Sequence, residues 1–234
     1  MYECNQFTRT ELALGKDGIE KLKNSKIVLF GLGGVGSYIA EALARVGVGN
    51  LIIVDGDTVD ITNINRQLIA NINTIGKNKA ELVKERISLI NPLANVVAIS
   101  KFVKSEDDID FIDGTVDYVI DAIDDFDAKI MIIKKAKELG LNLISSMGTA
   151  KRLHGDMFKI ADISKTKVCP LAKKMRRELK KLRINKVKVL YSDEVPTEMH
   201  EIDGYVGKSL GSVSFVPPVA GMLIAGEVVR DLLK

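Results

Sequence analysis

Four glycines in six residues, Gly31-Leu32-Gly33-Gly34-Val35-Gly36, separate an unbroken apolar run from a helically patterned one. Glycine at such a turn lets the backbone approach a phosphate closely. The helix that follows directs N–H groups and the positive end of its dipole at the anion. Asp55, 24 residues after Gly31, ends the next apolar run, where a carboxylate can accept ribose hydroxyls. These features alone suit a nicotinamide dinucleotide, but the residues that follow do not. Asp57, Asn63 and Arg66 crowd the stretch after Asp55, Lys79 opens the next helical segment, and Asp121, Asp124 and Asp125 close a later apolar run. Hydride transfer has no use for two cations beside a carboxylate. Splitting a nucleoside triphosphate does: cations and a metal neutralise phosphate charge, and a carboxylate holds the metal. Taken singly, Arg66 and Lys79 read equally well as surface charges, and Asp124 as a helix cap. Their joint placement points to phosphoryl chemistry.

Residues so far apart in sequence need a scaffold that gathers loops at one edge. Apolar runs at 27–30, 51–54, 96–100, 118–122 and 143–146 read as buried strands. Helical spacing covers 10–24, 37–46, 77–90 and 128–139, with a short helix at 107–112. Alternation of this kind predicts an α/β fold, a Rossmann-like mostly parallel sheet flanked by helices, whose carboxyl-end loops line one crevice. After residue 150 the rhythm changes. Strands at 158–163 and 187–191 bracket a basic helix, 192–210 reads as a loop, and a strand at 213–216 precedes a closing helix at 219–233. The expectation is a single domain over 1–234, with a nucleotide-binding half at 25–150. The remainder, 151–234, is a substrate- and RNA-facing extension with some antiparallel strands.

The net charge of +3 hides an uneven distribution. Residues 165–188 hold eleven Lys or Arg and one acid, Glu178, leaving 23 basic and 30 acidic residues elsewhere. Leu171, Met175, Leu179 and Leu182 fall on one helical stripe, and Lys173, Lys174, Arg176, Arg177, Lys180 and Lys181 lie mostly off it. A buried seam backed by cations suits a nucleic-acid backbone, although a solvated charged face has the same pattern. Two cysteines, Cys4 and Cys169, exclude a disulfide framework and agree with a reducing cytoplasm. Cys169 sits in the cationic segment, where a thiol would ionise more readily. A thioester-forming role therefore stands beside a structural one. With no CxxC pair, and Cys4, His154, Cys169 and His200 scattered, no structural zinc is expected. The late apolar run at 215–226 contains Pro217 and Pro218 and is too short to span a bilayer.

The pieces "GLGGVGS", "VGVGNLIIVDGDTVDITNINRQ", "IGKNKAE", "RISLINP" and "VIDAIDDFDAK" resemble, in order and spacing, the ThiF-type adenylate-forming proteins related to ubiquitin-activating enzymes. The resemblance implies ATP as co-substrate and Mg2+ as cofactor. It places Gly31, Gly33, Gly34, Gly36, Asp55, Asp57 and Asp121 in the nucleotide site, with Asp55 on the ribose. It sets Asn63, Arg66 and Lys79 on the phosphates and Asp124 on the magnesium. Arg9, in "QFTRTELALG", would reach the terminal phosphate in a partner subunit, so the resemblance also implies a homodimer. A carboxylate would attack the α-phosphorus, releasing pyrophosphate.

In the second half, "SSMGTA", "DISKTKVCPLAKKMRRELKKLRI" and "YSDEVP" resemble the tRNA threonylcarbamoyladenosine dehydratases, which adenylate a carboxylate on a modified tRNA adenosine and drive its cyclisation. Activation of a ubiquitin-like sulfur carrier is the alternative. The resemblance leaves room for a monovalent cation and for a sulfur-relay partner of the cysteine desulfurase type. The segment 197–210 is shorter than the corresponding insert of those dehydratases.

Overall fold

A computed structural model describes residues 3–207 and 210–234. Seven strands form one sheet: β1 (Lys26–Phe30), β2 (Asn50–Val54), β3 (Asn95–Ile99), β4 (Tyr118–Asp121), β5 (Asn142–Ser146), β6 (Phe158–Asp162) and β7 (Lys188–Ser192). Their order across the sheet is β3-β2-β1-β4-β5-β7-β6. All neighbours are parallel except the β6–β7 pair at the edge. Consecutive β1, β2 and β3 step outward in one direction. The chain then returns to place β4 on the other side of β1, and the two directions diverge between β1 and β4. Such a reversal opens a crevice at the carboxyl ends of the strands.

Both faces of the sheet are covered. Ile27 and Leu29 of β1 face a core shared with α1 (Thr8–Asn24), α2 (Gly36–Val46), α3 (Lys79–Ile90) and α6 (Val216–Leu232). Val28 and Phe30 face the opposite core, with α4 (Phe126–Glu138) and α5 (Pro170–Lys181). That is why the central strands are continuous apolar runs rather than alternating ones. Gly221 of α6 lies so close to α2 that a Cβ there would stand 2.6 Å from the Val35 carbonyl oxygen. The closing helix is thereby seated beside the glycine turn.

Two expectations change. No strand forms at 213–216: Val216 is the first residue of α6. Pro217 and Pro218 cannot donate to a ladder, but a first helical turn needs no N–H from them. The apolar seam of α5 is Ala172, Met175 and Leu179, with Leu171 half-buried, while Leu182 lies beyond the helix end and is exposed. Within the segment expected as a loop at 192–210, residues 193–207 contain no helix or strand, and 208 and 209 lie outside the described residues.

Candidate nucleotide site

The glycine turn leaves β1 and enters α2. Gly31 adopts φ +85°, and a Cβ on it would lie 2.6 Å from the Ala122 carbonyl oxygen at the end of β4. A Cβ on Gly36 would lie 1.7 Å from the carbonyl oxygen of Gly31. Neither position admits a side chain without rebuilding the turn. The nearest atom to such a Cβ at Gly33 belongs to the Gln67 side chain, and at Gly34 to those of Pro217 and Arg66, so Arg66 lies against Gly34 and Gln67 against Gly33. No side chain caps the start of α2. The Ser37 and Tyr38 N–H groups donate to the Gly33 and Val35 carbonyls, and the Gly36 N–H, with no such bond among the described residues, is left with the positive end of the helix dipole for an anion.

Asp55 follows β2 directly. Its carboxylate accepts the Leu32 N–H at 2.7 Å and the Asp57 N–H at 2.8 Å, tying the ribose-side acid to the glycine turn. Burial, its largest influence, pushes this carboxyl above its ordinary 3.8, against the opposing pull of those N–H groups and of Lys79. Lys79, only 5% exposed at the start of α3, reaches back 3.0 Å to the Asp57 carboxylate. Asn63 is buried and accepts the Asp60 N–H. Arg66 is half-buried and donates to the Thr62 carbonyl and the Asn65 side chain.

The end of β4 has two levels. Asp121 is 0% exposed, and its carboxylate accepts Lys129 Nζ at 2.9 Å and the Ser145 hydroxyl. Lys129 is equally buried and also donates to the Ser146 carbonyl at 2.8 Å. Asp121 therefore lies beneath the crevice floor and pins β4, β5 and α4 together, where direct nucleotide contact was expected. Asp124 is exposed above it and makes no hydrogen bond or ion pair among the described residues. The capping role belongs to Asp125, which accepts the Ala128 N–H at 2.8 Å. Asp125→Ala is accordingly expected to cost about 1 kcal/mol in chemical denaturation, the usual worth of an N-cap, and to leave nucleotide affinity unchanged.

The structure thus gathers Gly31, Gly33, Gly34, Gly36, Asp55, Asp57, Asn63, Arg66, Lys79 and Asp124 at the carboxyl edge of β1, β2 and β4. Arg9 is elsewhere. The start of α1 packs where α2 and α3 end, with Phe7 against Gly47 and beside Leu89 and Ile90. The 11-residue α2 separates that end from the glycine turn, a span of roughly 16 Å. Cys169 is buried in the apolar core at the start of α5, which removes it as an accessible nucleophile.

On α5, Lys173, Lys174, Arg177, Lys180 and Lys181 are exposed. Arg176 is half-buried, its guanidinium donating to the Thr166 carbonyl and hydroxyl. Lys174 Nζ stands 3.7 Å over the ring of Phe126. Phe126 opens α4, two residues past Asp124, so the cationic face adjoins the crevice. Sequence reading missed Gln67, Lys129 and Arg152, three buried polar residues. Gln67 directly follows Arg66 and was open to detection; Lys129 and Arg152 carry no signal in sequence beyond their charge.

The ThiF family model matches residues 7–234. The chain is 47% identical to a tRNA threonylcarbamoyladenosine dehydratase of Bacillus subtilis, over 98% of this chain and 95% of the relative. It is 42% identical to the enzyme of the same name from Haemophilus influenzae, over 70% of this chain and 63% of the relative. Among solved structures it is similar to the Escherichia coli tRNA N6-threonylcarbamoyladenosine dehydratase in complex with AMP. That likeness has TM-score 0.89 and 30% identity, covering 97% of this chain and 94% of the other. The same enzyme in complex with ATP gives a TM-score of 0.88.

Proposed function

The chain belongs to the ThiF family, and from that premise we infer that it is an ATP-dependent tRNA threonylcarbamoyladenosine dehydratase. The observation that carries this reading is the crevice where β1 and β4 part. It joins a glycine turn with no room for a side chain at Gly31 or Gly36 to a buried lysine and an aspartate that has no partner among the described residues. ATP lies with its ribose on Asp55 and its phosphates over Gly33, Gly34 and the start of α2. Arg66, Asn63 and Lys79 contact the phosphate oxygens. Lys79 exchanges its bond with Asp57 for one with phosphate.

Asp124 fits Mg2+. The ion takes one or two carboxylates and fills its remaining positions with phosphate oxygens and water. Among the described residues no cluster of three or more His, Cys, Asp or Glu offers a cage of protein ligands. The ion would neutralise charge on the leaving pyrophosphate. The chain's own residues do the rest by positioning and charge stabilisation. The substrate carboxylate attacks the α-phosphorus, pyrophosphate leaves, and the acyl-adenylate is attacked from within the same modification. The ring closes and AMP departs.

The distance between the start of α1 and its own glycine turn supports the reading that Arg9 serves a site on a second copy, in a homodimer with composite sites. The exposed cations of α5 bind the tRNA backbone beside the crevice. No helix among the described residues is long and apolar enough to cross a membrane, and a tRNA substrate supports a cytoplasmic location.

Exchange of labelled pyrophosphate into ATP tests the reading. Exchange is expected only with tRNA bearing the threonylcarbamoyl group. Exchange that requires a Gly-Gly-tailed protein would instead assign the chain to sulfur-carrier activation. A pH prediction follows from Asp55. Only its ionised carboxylate accepts both ribose hydroxyls, and its pKa is raised. The preference for ATP over 2′,3′-dideoxy-ATP is therefore expected to decline as pH falls, starting above the range of an ordinary aspartate. The phosphates titrate alike in both ligands, so the affinity ratio isolates Asp55. A ratio constant from neutral pH down to the point of unfolding would remove it from the ribose.

A further inference from the structure

We propose that Arg152 is the anchor for the carboxylate that is to be adenylated, a deepening of the dehydratase reading that rests on it. Arg152 is 3% exposed, yet its Nε and Nη1 have no hydrogen-bond partner among the described residues. A buried guanidinium without a carboxylate or carbonyl is costly to keep and calls for an explanation.

The backbone around it is the opposite of loose. Lys151 adopts φ 60°, a conformation a non-glycine residue holds only under constraint. Its N–H donates to the Gly211 carbonyl and its own carbonyl accepts the Thr197 N–H, both at 2.9 Å. On the other side, the buried Glu194 carboxylate accepts the N–H groups of Leu153 and His154 at 2.7 and 3.2 Å. Four hydrogen bonds therefore fix the chain on either side of a cation for which no bond is found among the described residues.

Its position is that of a substrate residue. Arg152 lies in the segment that leaves the carboxyl end of β5, next to β4 in the sheet. Gly155 of that segment packs on Val219 of α6, and Pro217 of the same helix packs over Gly34 of the glycine turn. Gly211, bonded to Lys151, is followed by Ser212, whose carbonyl accepts Asn65 Nδ2 at 2.9 Å. Asn65 in turn accepts Arg66. Two connected paths thus lead from Arg152 to the phosphate side of the crevice.

The phosphates already have Arg66, Lys79 and the start of α2. The incoming acid has no cation of its own, although it must approach a polyanion. Arg152, on the far side of β4 from Lys79, supplies one. A guanidinium matches a carboxylate with two parallel N–H bonds.

The test uses an anticodon stem-loop RNA carrying the modified adenosine either as the free acid or as its methyl ester. Binding is measured with α,β-methylene ATP present, so that no adenylate forms. Wild-type protein is expected to prefer the acid, and Arg152→Gln to lose that preference, weakening acid binding by roughly 10- to 100-fold. Ester binding and affinity for the ATP analogue should stay within about twofold, and Arg152→Lys should restore part of the preference. Arg152→Met, which removes an uncompensated buried charge, should melt no lower than wild type. A preserved acid preference in Arg152→Gln overturns the proposal. So does a matching loss of ATP-analogue affinity, or a lower melting temperature in Arg152→Met with the preference intact. If wild-type protein shows neither acid preference nor pyrophosphate exchange with this RNA, the dehydratase reading itself falls.

Discussion

Arg66→Ala and Asp124→Ala are each expected to cut AMP formation by ~10²–10³-fold, the usual loss when one preorganised electrostatic contact to a transition state is removed. The two substitutions should do so without unfolding the protein. Asp124 is exposed and bonded to nothing among the described residues, so its truncation should change stability by no more than about 0.5 kcal/mol. Among the described residues Arg66 bonds only within its own short segment, to Thr62 and Asn65, and its loss should cost about 1 kcal/mol. Asp125→Ala, one residue along, is expected to behave in the opposite way: less stable, fully active. Single-turnover AMP release with saturating modified tRNA, read beside chemical denaturation, separates these cases. Normal turnover in both Arg66→Ala and Asp124→Ala would dismantle the phosphate end of the site.

The second large effect concerns RNA. Reversing Lys173, Lys174, Arg177 and Lys180 to Glu should weaken tRNA binding by at least ~10²-fold at low salt. It should also make the salt dependence shallower, by about one unit of slope for each phosphate no longer neutralised. Arg176 is left out deliberately, because its bonds to Thr166 hold α5 to the preceding turn. The apolar seam of Ala172, Met175 and Leu179 is untouched, so the fold should survive. Affinity for ATP should also be unchanged, since none of the four touches the glycine turn. The position of Lys174 over Phe126 puts this face at the mouth of the crevice, where an anticodon loop would enter. Filter binding across a salt series provides the measurement. An unchanged slope would make the α5 cations a solvated surface.

The first 150 residues were legible as a fold because the central strands β1, β4 and β5 are almost wholly buried and the helices bury one face. Both situations leave a periodic record in the residues themselves. The record fails at 213–216, where β-branched residues precede a proline pair. The local pattern reads as strand, but docking against α2 makes it the start of a helix. It fails again at Leu182, where the stripe continues in sequence after the helix has ended.

In the site, the chemistry-bearing types could be named in advance and their depths could not. Asp121 and Asp124 are three residues apart in one acidic run. One is sealed against Lys129 and Ser145, and the other faces outward. For Cys169 the charged neighbours left a reactive and a structural role both open, and burial decides for the core.

By itself, then, the sequence determined the glycine turn, the acid that follows it, the paired cations and the alternation of the first five strands with helices that makes a parallel sheet. These are local matters: a turn that excludes Cβ atoms, and runs of side chains whose period declares their surroundings. Only the tertiary structure decided which carboxylate of the acidic run is exposed, which thiol is out of reach, how far Arg9 stands from its own crevice, and that Arg152 lies buried with no partner for its Nε and Nη1 among the described residues. Burial and partnership belong to atoms brought together from opposite ends of the chain, and no stretch of residues records them alone.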